Sequence, residues 1–309
     1  MAILQADEIS KVYASAKALD MVDMEISEGE IFGLLGPNGA GKTTFIRILN
    51  QILSPDTGTI QFHGRELMPH DIYTFGYLPE ERGLYKKMRV GEQAVYFASL
   101  KGMQPSVAKK ELLQWFEKFE ISHWWNKRVE ELSKGMQQKI QFIITVLHKP
   151  EILILDEPFS GFDPINAEHI KQEILEMKKS GTTIILSTHN MSSVEELCDS
   201  IALFNAGKKI LQGSVFDIKQ KHKKNQYHIT FQGYFDKFLA ALSSSYTILW
   251  HEQQENQIDV HIELTEEVET NKLLTHFMNI GTIIGFKEIL PSMHDIFLES
   301  IHNNSNTAY

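Results

Sequence analysis

The chain is poor in residues that would cross-link it or carry it through a lipid bilayer. Cys198 is the one cysteine among 309 residues. That excludes an intramolecular disulfide and a zinc site built from several cysteines, and a cytosolic setting is the simplest one for such a chain. No run of about 18 apolar residues occurs, so no helix is expected to span a membrane. The opening MAILQADEIS has no basic stretch followed by an apolar one, so no secretory signal is expected. Positive charge is in deficit: Lys+Arg is 30 against Asp+Glu 40, a formal net charge of −10. This balance argues against a protein that tracks nucleic-acid phosphates, and no nucleic-acid partner is expected. Internal repeats and low-complexity segments are also missing. What is present is an ordinary globular composition, 42% apolar and 23% charged. The length suits one large domain or two unequal ones with a sizeable core.

Short apolar runs at residues 2–6 and 24–26 open the chain as strands. Residues 31–35, IFGLL, form a continuous apolar run, short enough and close enough to glycine to be a buried strand. From Tyr85 to about Leu147 apolar residues recur at helical spacing. Strand character returns at residues 152–155 and 183–187, separated by a helical stretch at 166–179, which predicts a βαβ unit with parallel strands. A helix at 191–197 and strands at 201–204 and 208–211 follow. The polar, basic stretch at 219–225 reads as a solvated linker. Beyond it the order is strand 227–231, helix 235–242, strand 246–250, strand 257–264, helix 265–278 and strand 282–290. This is the split-βαβ pattern of a ferredoxin-like domain, closed by a short helix at 293–301 and a loose tail.

Gly36, Pro37, Asn38, Gly39, Ala40, Gly41, Lys42, Thr43 and Thr44 spell GPNGAGKTT, a full match to G-x-x-x-x-G-K-[ST]. Such a loop turns backbone N–H groups inward onto phosphate oxygens, and the helix after it adds its positive dipole end. Lys42 is expected to reach the outer phosphates and the Thr43 hydroxyl to sit on Mg²⁺. The plainer alternative is a glycine turn before an ordinary helix. A second acid for the metal stands in EILILDEP, where Asp156 ends a buried strand, the end at which ligands bind in parallel α/β sheets. Glu157, the next residue, is placed to orient and partly deprotonate an attacking water.

With these motifs the sequence resembles the ATP-binding subunit of an ABC transporter over residues 2–216. Tyr13 matches the aromatic that stacks on adenine. Residues 36–44 match the Walker A loop and 152–156 the Walker B strand. LSKGM, with Ser133 and Gly135, falls where the signature LSGGQ belongs, SGFD with Asp163 matches the D-loop, and His189 in LSTHN matches the switch histidine. Two departures stand out. Lys134 and Met136 replace a glycine and the glutamine of the signature, and Glu80, in GYLPEERGLY, stands where many members carry the Q-loop glutamine. Glu80 is expected either to contact the metal or only to mark the hinge into the helical subdomain. The variants together are closest to NatA-type sodium-export ATPases and their relatives.

The resemblance implies a P-loop α/β fold of ABC type at residues 1–217: a mainly parallel sheet, an antiparallel β subdomain and a helical subdomain at about 85–141. A ferredoxin-like accessory domain at 218–309 would follow. It implies ATP and Mg²⁺ as ligands, with Glu157, His189 and Lys42 in catalysis and Thr43, Asp156 and Glu80 toward the metal. A second copy, head to tail, would bring Ser133 and Gly135 to the γ-phosphate. A separate membrane permease would dock on the helical segment, and the chain would sit at the cytoplasmic face of the membrane. Trp124 and Trp125 would either join that docking surface or pack in the core. A soluble relative acting on DNA or ribosomes is the poorer fit: the stretch from Lys42 to Asp156 carries no sustained heptads, and the chain has a single phosphate loop. The cargo expected from the motif variants is sodium, with drug, peptide or antibiotic export as the alternative.

Overall fold

The computed structural model describes residues 2–14, 16–81, 83–233, 246–264, 270–279 and 281–306. Two compact units divide the chain: residues up to Val215 form the body of the first, and Phe216–Glu299 the second.

The first unit is built on two sheets. An antiparallel one contains β1 (Ala2–Tyr13), β2 (Ala16–Ser27), β4 (Thr57–Phe62) and β5 (Arg65–Glu66) in the order β2-β1-β4-β5. β1 and β2 are each 12 residues long, well beyond the two short runs expected. The reason is alternation: Leu19, Val22, Met24 and Ile26 are buried along β2 while the residues between them face water, so apolar runs alone underestimate the strand. The hairpin also absorbs register shifts. At these irregularities side chains take up the freed donors, with Glu8 N donating to Asp23 Oδ1 (2.7 Å) and Met21 N to Ser10 Oγ (2.9 Å).

The second sheet holds β3 (Ile31–Leu35), β6 (Phe75–Leu78), β7 (Ile152–Asp156), β8 (Thr183–Thr188), β9 (Ser200–Asn205) and β10 (Lys208–Ser214), in the order β10-β9-β3-β8-β7-β6. All of its pairs are parallel except the β9–β10 hairpin. β3, β7 and β8 are buried along their whole length, as sheets covered on both faces require. α1 (Lys42–Leu49) leaves β3, and α5 (Pro164–Lys179) crosses from β7 to β8 as the βαβ pattern predicts. α5 begins on Asp163, whose Oδ1 accepts from the N–H groups of Ile165 (3.1 Å) and Asn166 (3.0 Å), with Pro164 in the first turn. α6 spans Met191–Leu197.

The helical part holds α2 (Val90–Leu100), α3 (Pro105–Lys118) and α4 (Lys134–Val146). It starts five residues later than the periodicity suggests. Gln93 reaches back with both its side-chain atoms to the Tyr85 backbone, holding that segment as a turn. Trp124 is buried, and Trp125 lies so close to α2 that a methyl on Gly91 would be 2.3 Å from its ring. Both tryptophans therefore pack inward.

In the second unit α7 (Val215–Lys221) runs into the stretch expected to be a linker. Lys219 and Lys221 fall in its last turn, where cations suit the negative helix end, so only the residues after Lys221 connect. β11 (Gln226–Gly233), β12 (Tyr246–Gln254), β13 (Gln257–Leu264) and β14 (Gly281–Ile289) form an antiparallel sheet in the order β12-β13-β11-β14, the strand order of a split βαβ fold. Ile229, Phe231, Ile258, Val260 and Ile262 are fully buried with Phe277 of α8 (Thr270–Met278). α9 (Met293–Asn306) begins within this unit, which runs to Glu299. The expected helix at 235–242 and the first residues of that at 265–278 lie outside the described residues.

Candidate active site

After Leu35 the chain turns through a glycine loop before α1. Gly36, Gly39 and Gly41 have φ of +144°, +79° and +110°. A methyl at Gly36 would stand 2.3 Å from the Phe204 carbonyl oxygen, and one at Gly41 would stand 2.5 Å from that of Ala18. Conformation and space both demand glycine there. The loop is braced by Ala40 N donating to Pro37 O (3.2 Å) and Gly207 N donating to Ala40 O (3.0 Å). α1 has no side-chain cap and no acid in its first turn, which leaves its positive end to an anionic ligand.

Lys42 is only 7% exposed. Its Nζ donates to Gly36 O at 2.7 Å and to Pro37 O at 3.1 Å. Burial pulls its pKa below the ordinary lysine value, and the charges of Glu157, Asp156 and Glu80 act against that pull. Asp156, the last residue of β7, is buried, and Thr43 Oγ1 donates to its Oδ2 at 3.3 Å. Burial is the main influence pushing its carboxyl above the usual carboxylate range; Glu157 adds to it, while the Thr43 hydroxyl and Lys42 oppose it. A buried carboxylate beside a hydroxyl is a hard-oxygen donor set that suits a divalent cation such as Mg²⁺.

Glu157 takes the chain off β7 with φ +49°, and its N–H donates to Ser187 O (2.9 Å). Its carboxylate is held on both oxygens. Oε1 accepts from His189 N (3.0 Å) and His189 Nδ1 (2.6 Å), and Oε2 accepts from Thr188 Oγ1 (3.2 Å). The Glu157 side chain is 14% exposed and that of His189 68%, so the histidine stands between the carboxylate and solvent.

Asn38, Gly39, Ala40, Gly41, Lys42, Thr43 and Thr44 line one pocket of about 230 Å³ together with Ala18, Glu80, Asp156 and Glu157. The loop, the two acids at the end of β7 and the Q-loop acid are thus brought to one place. Gly36 and Pro37 form the back of the loop through their bonds to Lys42. Tyr13 ends β1 with 45% exposure and is not among the lining residues. Ser133, Gly135 and Asp163 also lie off the pocket. Ser133 caps α4, its Oγ accepting from Met136 N at 3.3 Å. A methyl on Gly135 would come within 3.3 Å of Gly161 O, so signature and D-loop adjoin in one chain. A larger cavity, about 460 Å³, lies beside Trp115, Lys118 and Glu173 and contains none of the residues singled out by sequence.

Three contributors escaped the sequence reading. Ala18 lines the pocket from β2, where an alanine carries no signal. Thr188 holds Glu157, and only its position at a strand end marks it. Tyr77 on β6 has its hydroxyl pKa pushed up to about 12 by burial and by Asp156.

The profile of the family described as ABC transporter matches residues 19–160, and that described as ATP-binding protein DrrA1-3-like, C-terminal domain, matches residues 213–301. The chain is 45% identical over 300 residues to the uncharacterized ABC transporter ATP-binding protein YhaQ of Bacillus subtilis (strain 168), covering 97% of this chain and 98% of that one. It is 31% identical over 305 residues to the bacitracin transport ATP-binding protein BcrA of Bacillus licheniformis, 97% of each. A solved structure of an ATP binding subunit of an ABC transporter matches with a TM-score of 0.66 at 29% identity, covering 71% of this chain and 92% of that one.

Proposed function

The chain belongs to the ABC transporter ATP-binding family, and from that premise we propose that it is the ATPase of an exporter whose membrane-spanning part is a separate polypeptide. The family binds ATP and hydrolyses it to power transport, and its transporter subunits dimerise and pair with a membrane permease. The observation that carries the reading for this chain is the single pocket in which the glycine loop, Lys42, Thr43, Asp156 and Glu157 meet.

In that pocket the loop N–H groups and Lys42 would bind the outer phosphates of ATP, with Tyr13 stacking on the adenine. Thr43 Oγ1, Asp156 and Glu80 would hold Mg²⁺, which supplies charge neutralisation of the transferring phosphoryl group. Glu157, fixed by Thr188 and His189, would take the proton of the attacking water. Ser133, Gly135 and Asp163 would act on the nucleotide held by a second copy placed head to tail, closing it from water. Residues 1–217 are assigned to this ATPase and 218–309 to an accessory domain.

Among the described residues no helix is long and apolar enough to cross a membrane. The permease would dock on the helical part, where Tyr85 stacks on Phe97 (5.9 Å between centroids, 8° between planes) and packs against Tyr96. Tyr85, Tyr96, Leu100 and Tyr73 are exposed around a cavity of about 280 Å³ that Tyr73, Phe97 and Leu100 help line. Such a contiguous apolar surface marks an interaction site. The chain would then sit at the cytoplasmic face of the membrane. For cargo, the likeness to a bacitracin transport protein favours an antibiotic peptide over the sodium ion suggested by the motif variants.

Co-expression with candidate membrane proteins drawn from the same genome tests this reading. Co-purification and ATP-dependent efflux of bacitracin from vesicles are the expected results. Efflux of sodium alone would restore the cation reading, and failure to capture any membrane protein would contradict the two-component reading.

A further inference from the structure

The pocket has a charge imbalance of its own. Among the described residues its lining holds three carboxylates, Glu80, Asp156 and Glu157, against a single ammonium, Lys42. Asp156 has the Thr43 hydroxyl, and Glu157 has His189 and Thr188. Glu80 is exposed and forms no ion pair or hydrogen bond among the described residues. A nucleoside triphosphate entering with its Mg²⁺ still adds net negative charge beside three acids that share one ammonium, a repulsion that strengthens as water is excluded.

Lys134 presents the opposite imbalance. It is the first residue of α4, after the capping Ser133, and that helix carries no acid in its first turn. A cation at the positive end of a helix is electrostatically unfavourable there. Lys134 is exposed, and like Glu80 it has no ion pair or hydrogen bond among the described residues. Within its own chain Glu80 has only a share of the Lys42 charge, divided with Asp156 and Glu157, and both Glu80 and Lys134 would stand on surfaces that the proposed head-to-tail dimer brings face to face.

We propose that Lys134 of one protomer pairs with Glu80 of the other across the nucleotide, so that each offsets the other's charge when the dimer closes. This inference rests on the dimer reading and deepens it. Lys134 is then a positioning residue that sets the tightness of the closed dimer, while Ser133 Oγ and the Gly135 N–H remain free for phosphate.

A double-mutant cycle on ATP-driven dimerisation tests it, in full-length chains carrying Glu157→Gln and followed by size-exclusion chromatography with multi-angle light scattering. Glu80→Gln and Lys134→Gln are made singly and together, and circular dichroism confirms the fold of each. Lys134→Gln should weaken dimerisation about fivefold or more, whereas in the Glu80→Gln background the same change should cost less than about twofold. The exchange Glu80→Lys with Lys134→Glu should recover most of the association that Lys134→Glu alone loses. Equal losses from Lys134→Gln in both backgrounds would overturn the pairing and place Lys134 on the nucleotide alone, leaving the dimer intact. Failure of the Glu157→Gln chain to dimerise with ATP would overturn the dimer reading and the pairing with it.

Discussion

Replacing Glu157 by glutamine separates the chemistry of the site from its architecture. Oε1 serves two donors, His189 N and His189 Nδ1, and Oε2 serves one, Thr188 Oγ1. A glutamine carbonyl oxygen can keep both His189 bonds. Its amide then faces Thr188, whose hydroxyl can turn from donor to acceptor. Three bonds to a charged acceptor become neutral ones, each weaker by about 0.5–1 kcal/mol. Against that, Glu157 no longer raises the energy of the neighbouring Asp156 carboxylate. The net effect on stability should be at most about 1–2 kcal/mol, a melting shift of a few degrees. Loss of the general base should slow hydrolysis about 10²–10⁴-fold, or roughly 3–5 kcal/mol of barrier. Removing a negative charge beside the triphosphate should leave ATP affinity equal or higher. Thermal unfolding, binding of a fluorescent ATP analogue and phosphate release measure the three quantities. Turnover within about threefold of the parent chain would refute Glu157 as the base. A large loss of stability would refute the geometric argument.

Other perturbations test separate parts of the structure. Asp156→Asn should weaken ATP binding about tenfold or more in the presence of Mg²⁺ and hardly at all in its absence, as read by calorimetry with and without the metal. Asp71 is buried and takes two bonds from Arg65, at 2.8 and 2.6 Å; these, aided by the Met68 N–H and opposed by burial, lower its pKa to about 2. Because the folded value is depressed, this stabilisation is present above about pH 4 and is lost as pH falls toward 2. Arg65→Met should therefore lower the stability at pH 7 in urea unfolding, and the difference from the parent should shrink near pH 2. His148 donates Nε2–H to Phe75 O at 3.1 Å, and burial lowers its pKa from 6.5 to about 4. The unfolded chain takes up that proton first, so stability should fall as pH drops from 6.5 to 4. His148→Gln should flatten that slope by about 1 kcal/mol across the window, a partial value because the side chain is not fully enclosed.

The parts of the site most legible in the sequence were those where chemistry demands a fixed residue at a fixed spacing. Gly36 and Gly41 cannot carry a side chain, Lys42 and Thr43 open a helix, and Asp156 ends a strand with no polar residue inside it. Such constraints are local, so a single stretch of chain displays them. The strands β1 and β2 were only half legible because their exposed faces are polar and their bulges are repaired across the hairpin, by Ser10 of β1 and Asp23 of β2. The hold of Thr188 and His189 on Glu157 depends on the register of β7 against β8, with Asp156 opposite Ser187, which the βαβ pattern does not encode. α7 was hidden because the lysines that suit a helix end also suit a linker. The buried face of β13 in the second unit was readable from the clean alternation of Ile258, Val260, Ile262 and Leu264.

Every role proposed for this chain requires that the loop from Gly36 to Thr44 bind ATP for hydrolysis. Phosphate release from Mg²⁺-ATP by the purified full-length protein, compared with its Lys42→Ala variant, tests it most directly. Lys42 carries the only ammonium in the pocket. The account expects measurable turnover in the parent and a loss of at least about 100-fold in the variant, with the fold retained. Equal rates in the two proteins would mean that nucleotide is turned over elsewhere and would contradict it.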